Sequence, residues 1–159
     1  MPIYEMDILE DIRTKFILRA RLHDDEASIV LKGHLLSEYL LNRIIDEKVP
    51  SSNKIKKVTY YRKLKIMEEK DFLTPEIIKN LCLLNSFRNK LVHKLNITIE
   101  AKDMIFYKDN KTKILIKPKK GRYPQRYYLR LLCHGILTQL INCMLLKLRI
   151  DPRWLNDKA

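Results

Sequence analysis

Apolar positions recur at helical spacing along most of the chain and divide it into about five helices. From Tyr4 to about Arg21, Ile8, Ile12, Phe16 and Ala20 repeat with Leu9 beside them, an amphipathic pattern. Asp24 or Asp25 then caps a second helix, to about Glu47, that buries Ile29, Val30, Leu36, Leu40 and Ile44. Gly33 in it permits another helix to approach. The short connection, with His23 solvated in it, predicts an antiparallel hairpin. Pro50 followed by Ser51, Ser52 and Asn53 ends the second helix in a turn. A short third helix carries Tyr60, Tyr61 and Leu64. The fourth runs from Thr74 to Leu95: Thr74 is placed to cap it, Pro75 sits where a missing N–H costs nothing, and Glu76 complements the positive helix end. The last, from about Gln125 to Arg149, is apolar nearly all round, through Leu129, Leu132, Ile136, Leu140, Ile141, Met144 and Leu145. Such a helix is central in its bundle or buried on a partner. Asp151 and Pro152 close it, and Trp154 packs back on the body.

Between the fourth and last helices the pattern changes. Residues 97–107 read either as strand, through Ile97, Ile99 and Ile105, or as a short helix started by Thr98. Asp109 and Asn110 mark a turn, and Lys113 to Lys117 is the most strand-like run, so a small hairpin is expected there. A basic loop, about 108–126, completes the connection. Three glycines and six prolines are too few for a β-sandwich or barrel, and 159 residues suit one domain with a true core. The expected architecture is therefore a single all-α domain over 1–159, an antiparallel helical bundle with a small hairpin or basic loop before the last helix.

Charge changes the picture next. The formal net charge is +13, a field that draws in polyanions, so the expected partner is RNA or DNA or an acidic protein. Lys117, Lys119, Lys120, Arg122 and Arg126 form an exposed, mobile arm suited to phosphate contact. Around the third helix Lys54, Lys56, Lys57, Arg62, Lys63 and Lys65 surround Tyr60 and Tyr61, either a plain solvated face or a second surface where cations meet phosphates and rings stack on bases. Cys82, Cys133 and Cys143 show no paired spacing, which indicates neither disulfides nor zinc but reduced, buried thiols in a cytoplasmic protein. The amino terminus lacks the pattern of a signal peptide. The uncharged stretch from Leu131 to Leu146 falls short of the ~20 apolar residues of a membrane span, so no membrane is expected. His134 within it reads as a core histidine.

The fourth helix holds the one compact polar constellation. Ile77, Leu81, Leu84, Phe87, Leu91 and Leu95 gather on one arc; Asn85, Ser86, Asn89, His93 and Asn96 gather on the other, with Arg88 at the border. Short amides and an imidazole, in place of the Lys and Glu of a solvated face, indicate a shared or occluded surface. Either Asn85, Asn89 and His93 satisfy a buried polar seam, or Arg88 and His93 serve phosphodiester chemistry, the imidazole moving a proton and the guanidinium offering forked donors. Five residues apart, the two side chains point about 140° from each other. They must bend together, or a second copy of the helix must complete the site. His34 reads as core or interface, with the option that it faces this polar side.

The run from Leu84 to His93, with Arg88, the polar Asn89 and then His93, resembles the signature of HEPN domains. Val58 to Ile66, Phe72 to Thr74 and Gly33 to Leu41 resemble the surrounding helices in the branch that includes the mannitol-operon repressor family, so the likeness covers about residues 25–107. It implies a helical bundle, a homodimer uniting two motifs and often a ribonuclease without metal or other cofactor, and it favours the short helix started by Thr98. In such an enzyme His93 would transfer the proton, Arg88 would stabilise the phosphorane and Asn89 would orient phosphate or imidazole, with Asn85 and Ser86 supporting. Toxins of this type often carry a Tyr two residues after the histidine, which their antitoxin modifies; here Leu95 stands there. The alternative is a non-catalytic regulator resembling the repressor family, whose polar face serves dimer or partner contacts.

Overall fold

The computed structural model describes residues 25–93 and 99–150, so the first expected helix, Asn96 in the motif, and the tail with Trp154 lie outside the described residues. What is described is a helical bundle with one small hairpin. Its helices are α1 (Glu26–Lys48), α2 (Ser52–Ile55), α3 (Tyr60–Glu69), α4 (Pro75–His93) and α5 (Gln125–Leu146). Strands β1 (Ile105–Tyr107) and β2 (Lys113–Leu115) lie between α4 and α5 and pair antiparallel, Ile105 opposite Leu115 and Tyr107 opposite Lys113.

Local chemistry sets most boundaries. Asp25 caps α1 by accepting the Ser28 N–H at 2.7 Å. Ser51 takes the left-handed conformation (φ 62°) that turns the chain between α1 and α2, and Thr59 caps α3 through the Arg62 N–H. The expected Thr74 side-chain cap of α4 does not form. Its Oγ1 is buried without a partner, and only the Thr74 carbonyl engages the helix, accepting from Ile78 N at 3.1 Å. The helix starts all the same, because Pro75 fixes φ and needs no N–H partner.

The core lies where α1 and α4 cover α5, whose Leu129, Leu132, Ile136, Leu137, Leu140 and Met144 are all buried. By length and composition α5 is the one helix among the described residues that could span a membrane, with a mean hydropathy of 1.5 over its most apolar stretch. That exceeds the expectation drawn from its uncharged stretch alone; 56% of the stretch is buried inside the protein, so the helix acts here as core. Gly33 permits the approach of α5 to α1, since a Cβ there would stand 3.3 Å from Cys133 Sγ. Cys133 and Cys143 are buried and Cys82 half-buried, all three free, and burial pushes the Cys133 thiol up to about 12.

Among the described residues, which resume at Ile99, the helix that the resemblance favours after the motif does not appear. The chain makes only a 3-10 turn (Ala101–Asp103) before β1. Asn80, fully buried on α4, explains the outcome. Its Oδ1 accepts the Tyr107 N–H at 2.9 Å, and its Nδ2 donates to the Tyr107 carbonyl (2.9 Å) and to Gln139 Oε1 on α5 (2.7 Å). A strand offers both backbone groups sideways; a helix would consume them. Asp109 then closes the hairpin turn, accepting from Lys111 and Thr112 N–H at 2.8 and 2.7 Å. Phe106 packs back on α5 at Gly135.

Replacing Asn80 by Leu would leave the Tyr107 N–H and Gln139 Oε1 without this partner, while the Tyr107 carbonyl keeps Gln139 Nε2 at 3.0 Å. The expected loss is about 2–3 kcal/mol of stability, read as a lowered denaturant midpoint with unchanged slope. A midpoint equal to that of the parent protein would show that Asn80 does not hold the hairpin.

Candidate functional site

The polar arc of α4 meets α1 along a seam that begins at His34. Its Nε2–H donates to Asn85 Oδ1 at 3.0 Å, which joins the two helices through the motif's own face. His34 is only 6% exposed. Its ring lies against Tyr60 of α3, centroids 4.2 Å apart. One turn on, Ser37 Oγ donates to the His34 carbonyl (2.7 Å) and so has only its lone pairs left for Tyr60, whose hydroxyl donates to it at 2.8 Å. Burial pushes the Tyr60 phenol well above its ordinary value. Next along the seam, Lys63 of α3, 2% exposed, pairs with Glu38 at 2.7 Å.

This overturns part of the basic surface expected on the third helix. Tyr60 and Lys63 point inward, on the stripe shared with Leu64 and Met67 at i, i+3, i+4 and i+7. That spacing was the available signal. The neighbouring cations are engaged as well, Lys56 with Asp46 (2.7 Å) and Arg62 with Glu69 (3.2 Å), while Lys57 is exposed.

On α4 itself Arg88 is half-buried. Its Nη1 donates to Asn89 Oδ1 at 3.0 Å, while its Nε is buried without a partner, and among the described residues no carboxylate pairs with it. Ser86 and Asn89 are exposed, and so is His93, the last residue of α4. The structure thus joins Arg88 to Asn89 and Asn85 to His34, and among the described residues no hydrogen bond links Arg88 to His93. Exposed Leu31 and Leu35 on α1 and Val92 on α4 lie within about two helical turns of the His34–Asn85 bond.

The basic loop is exposed at Lys119, Lys120, Arg122 and Arg126, as its composition predicts. It is not a free arm. Lys117 donates to Gln125 Oε1, and the Arg122 and Tyr123 N–H groups donate to the Tyr128 hydroxyl at 3.0 and 3.3 Å. Gln125 in turn donates to Glu26 at the start of α1 (3.2 Å) and to the Ile99 carbonyl. With Asn85 opposite His34, and Asn80 opposite Gln139, α4 runs antiparallel to both α1 and α5. The carboxyl end of α4, the start of α1 and the basic loop therefore share one end of the bundle. Among the described residues no cluster of three or more His, Cys, Asp or Glu side chains is placed to hold a metal ion. Compared with family models, curated proteins and solved structures, the chain finds no match.

The seam has a pH signature. Desolvation holds the His34 pKa below its ordinary 6.5, helped by the Arg88 and Lys63 charges and opposed by the Asn85 bond and Glu38. The unfolded chain thus binds the His34 proton more readily than the folded one, so this group's stability is complete above pH 6.5 and is lost as the pH falls below it. Thermal midpoints should drop from pH 7.5 to 5.5, and His34→Gln should flatten that part of the profile. An unchanged slope in the variant would remove His34 from the account.

Proposed function

We propose that the chain is a metal-independent, HEPN-type endoribonuclease of a toxin or defence system, cytoplasmic and homodimeric, with a composite site where two copies of α4 meet. The observation that carries the reading is the state of Arg88. A half-buried guanidinium bonded to a neutral amide, with its Nε unmet and no carboxylate partner among the described residues, is poised for an anion brought from outside. Desolvation keeps the nearby His34 neutral, so it adds no second cation beside Arg88, and Glu38, the carboxylate of the seam, is engaged by Lys63. The basic loop at the same end of the bundle supplies Lys117, Lys119, Lys120, Arg122 and Arg126 as backbone contacts.

In this reading the ribose 2′-OH attacks the adjacent phosphorus. The new 2′-O–P bond forms as the P–O5′ bond breaks, His93 takes the 2′ proton, the departing O5′ takes a proton from water, and a 2′,3′-cyclic phosphate and a free 5′-OH result. Arg88 stabilises the charge on the phosphorane oxygens, and Asn89, already fixed to Arg88, holds that guanidinium in orientation. Asn85 is set by His34, and Ser86 lies exposed beside it. Because Arg88 and His93 diverge on one helix, a second copy brings the missing member. Leu31, Leu35 and Val92 give the two copies apolar surface to bury.

Purified protein should cut RNA in EDTA to leave cyclic-phosphate ends and should leave DNA intact. His93→Ala and Arg88→Ala should each slow cleavage by about 100-fold or more. Cleavage of an all-DNA strand would sink the mechanism. No cleavage of any RNA, with both variants folded but altered in self-association, would move the polar face to the contacts of a regulator resembling the mannitol-operon repressor family.

A further inference from the structure

Three tyrosines meet where the basic loop enters α5. The rings of Tyr123 and Tyr127 lie 4.5 Å apart, tilted by 35°, and Tyr128 stands edge-on to Tyr127 at 5.5 Å. Their roles divide by burial. Tyr128 is 7% exposed, its hydroxyl takes the Arg122 and Tyr123 N–H groups, and its ring lies so close to Gly121 that a Cβ there would come within 3.3 Å of Cε2. It ties the loop to the helix. Tyr123 and Tyr127 are 50% and 37% exposed, a pair of aromatic faces held open to solvent by the buried third.

Along the chain the charge around this pair is of one sign, with Glu26, bonded to Gln125 at 3.2 Å, the acidic neighbour across the fold. Residues 110–150 contain ten Lys or Arg and no Asp or Glu. Arg122 and Arg126 flank the rings in sequence, Lys119 and Lys120 precede them, and among the described residues none of the four is in an ion pair. An acidic protein or a nucleic-acid duplex would use those cations but would leave the ring faces idle, since a duplex keeps its base faces inside its own stack. A single strand satisfies both features at once, bases on rings and phosphates on cations.

From this we infer that Tyr123 and Tyr127 form a stacking subsite for unpaired bases of single-stranded RNA, with Arg122 and Arg126 on the flanking phosphates. The inference rests on the reading of the chain as acting on RNA and narrows the substrate to an unpaired strand. The subsite sits at the end of the bundle that also holds the carboxyl end of α4, so a strand anchored on the tyrosines runs toward Arg88 and His93.

The probe is a fluorescent 2′-O-methyl oligouridine of about twelve nucleotides, which lacks the attacking hydroxyl, measured by anisotropy with the full chain beside a hairpin duplex of equal charge. Tyr123→Leu and Tyr127→Leu keep apolar bulk but lose the ring, and each should weaken single-strand binding by about 5- to 100-fold while leaving the duplex unaffected. Tyr123→Phe and Tyr127→Phe should bind within about two-fold of the parent, because the ring is what stacks. Arg126→Gln should lower the slope of log Kd against log salt by about 1, and the tyrosine variants should not change it. Should either Leu variant fail to fold by its thermal midpoint, the other carries the comparison. Leu variants that bind as tightly as the parent, Phe variants that lose as much as Leu, equal losses on duplex and single strand, or no single-strand binding by the parent would each overturn the subsite. The probe cannot be cut, so a missing ribonuclease activity, seen on ordinary RNA, would leave the result interpretable.

Discussion

The bundle depends on covering α5, a helix with almost no polar face. An apolar cylinder cannot be satisfied by one neighbour, so α1 and α4 must both lie on it, and in doing so they are forced against each other. Gly33 lets α1 come close at Cys133, and the α1–α4 contact is then completed by the hydrogen bond from His34 to Asn85. The hydrophobic requirement sets the distance, and the polar seam sets the register. Asn80 performs the same office for the hairpin, which it fixes to α4 and, through Gln139, to α5.

The consequence for function is one of placement. Covering α5 in this way runs α4 antiparallel to both its neighbours, which brings the motif's carboxyl end to the end of the bundle where the basic loop is tied by Tyr128 and Gln125. The seam also keeps its charges apart in kind. Lys63 is neutralised by Glu38 inside, and His34 is held neutral by desolvation, whereas Arg88 is left with an amide for company. A phosphate arriving at Arg88 would meet an unspent guanidinium in a partly desolvated place, where such a contact is worth more than in water.

Much of this was legible in the sequence where one element's own residues decide the outcome. The cap at Asp24 or Asp25, of which the second is used, the turn at Asp109, the strand character of Lys113 to Lys117 and the two arcs of α4 all follow from local chemistry. The failures share a cause, which is that a distant partner decided. Thr74 has the residue type of a cap yet its hydroxyl goes unused, because Pro75 and the packing of Leu73 and Ile77 suffice. Lys63 looks like surface until Glu38 is found beside it, and residues 101–107 become turn and strand because Asn80, far back on α4, takes the Tyr107 backbone. Within the candidate site Asn85 and Asn89 were visible as one helical face with Arg88 at its border. The partner of Asn85 was visible only as an option for His34, and the tyrosines at the loop carry no local signal of which ring is buried and which faces solvent, because tertiary contacts at Gly121 and the loop backbone decide it.

The composite nature of the site is the claim on which the rest turns, and mixing two inactive proteins tests it most directly. In a dimer of one Arg88→Ala chain with one His93→Ala chain, one of the two sites loses both residues and the other keeps both. Equilibrating the variants should therefore restore about a quarter of the parent's RNA cleavage, from half the dimers carrying one intact site each. No recovery, with exchange of subunits demonstrated, would contradict a site shared between two copies.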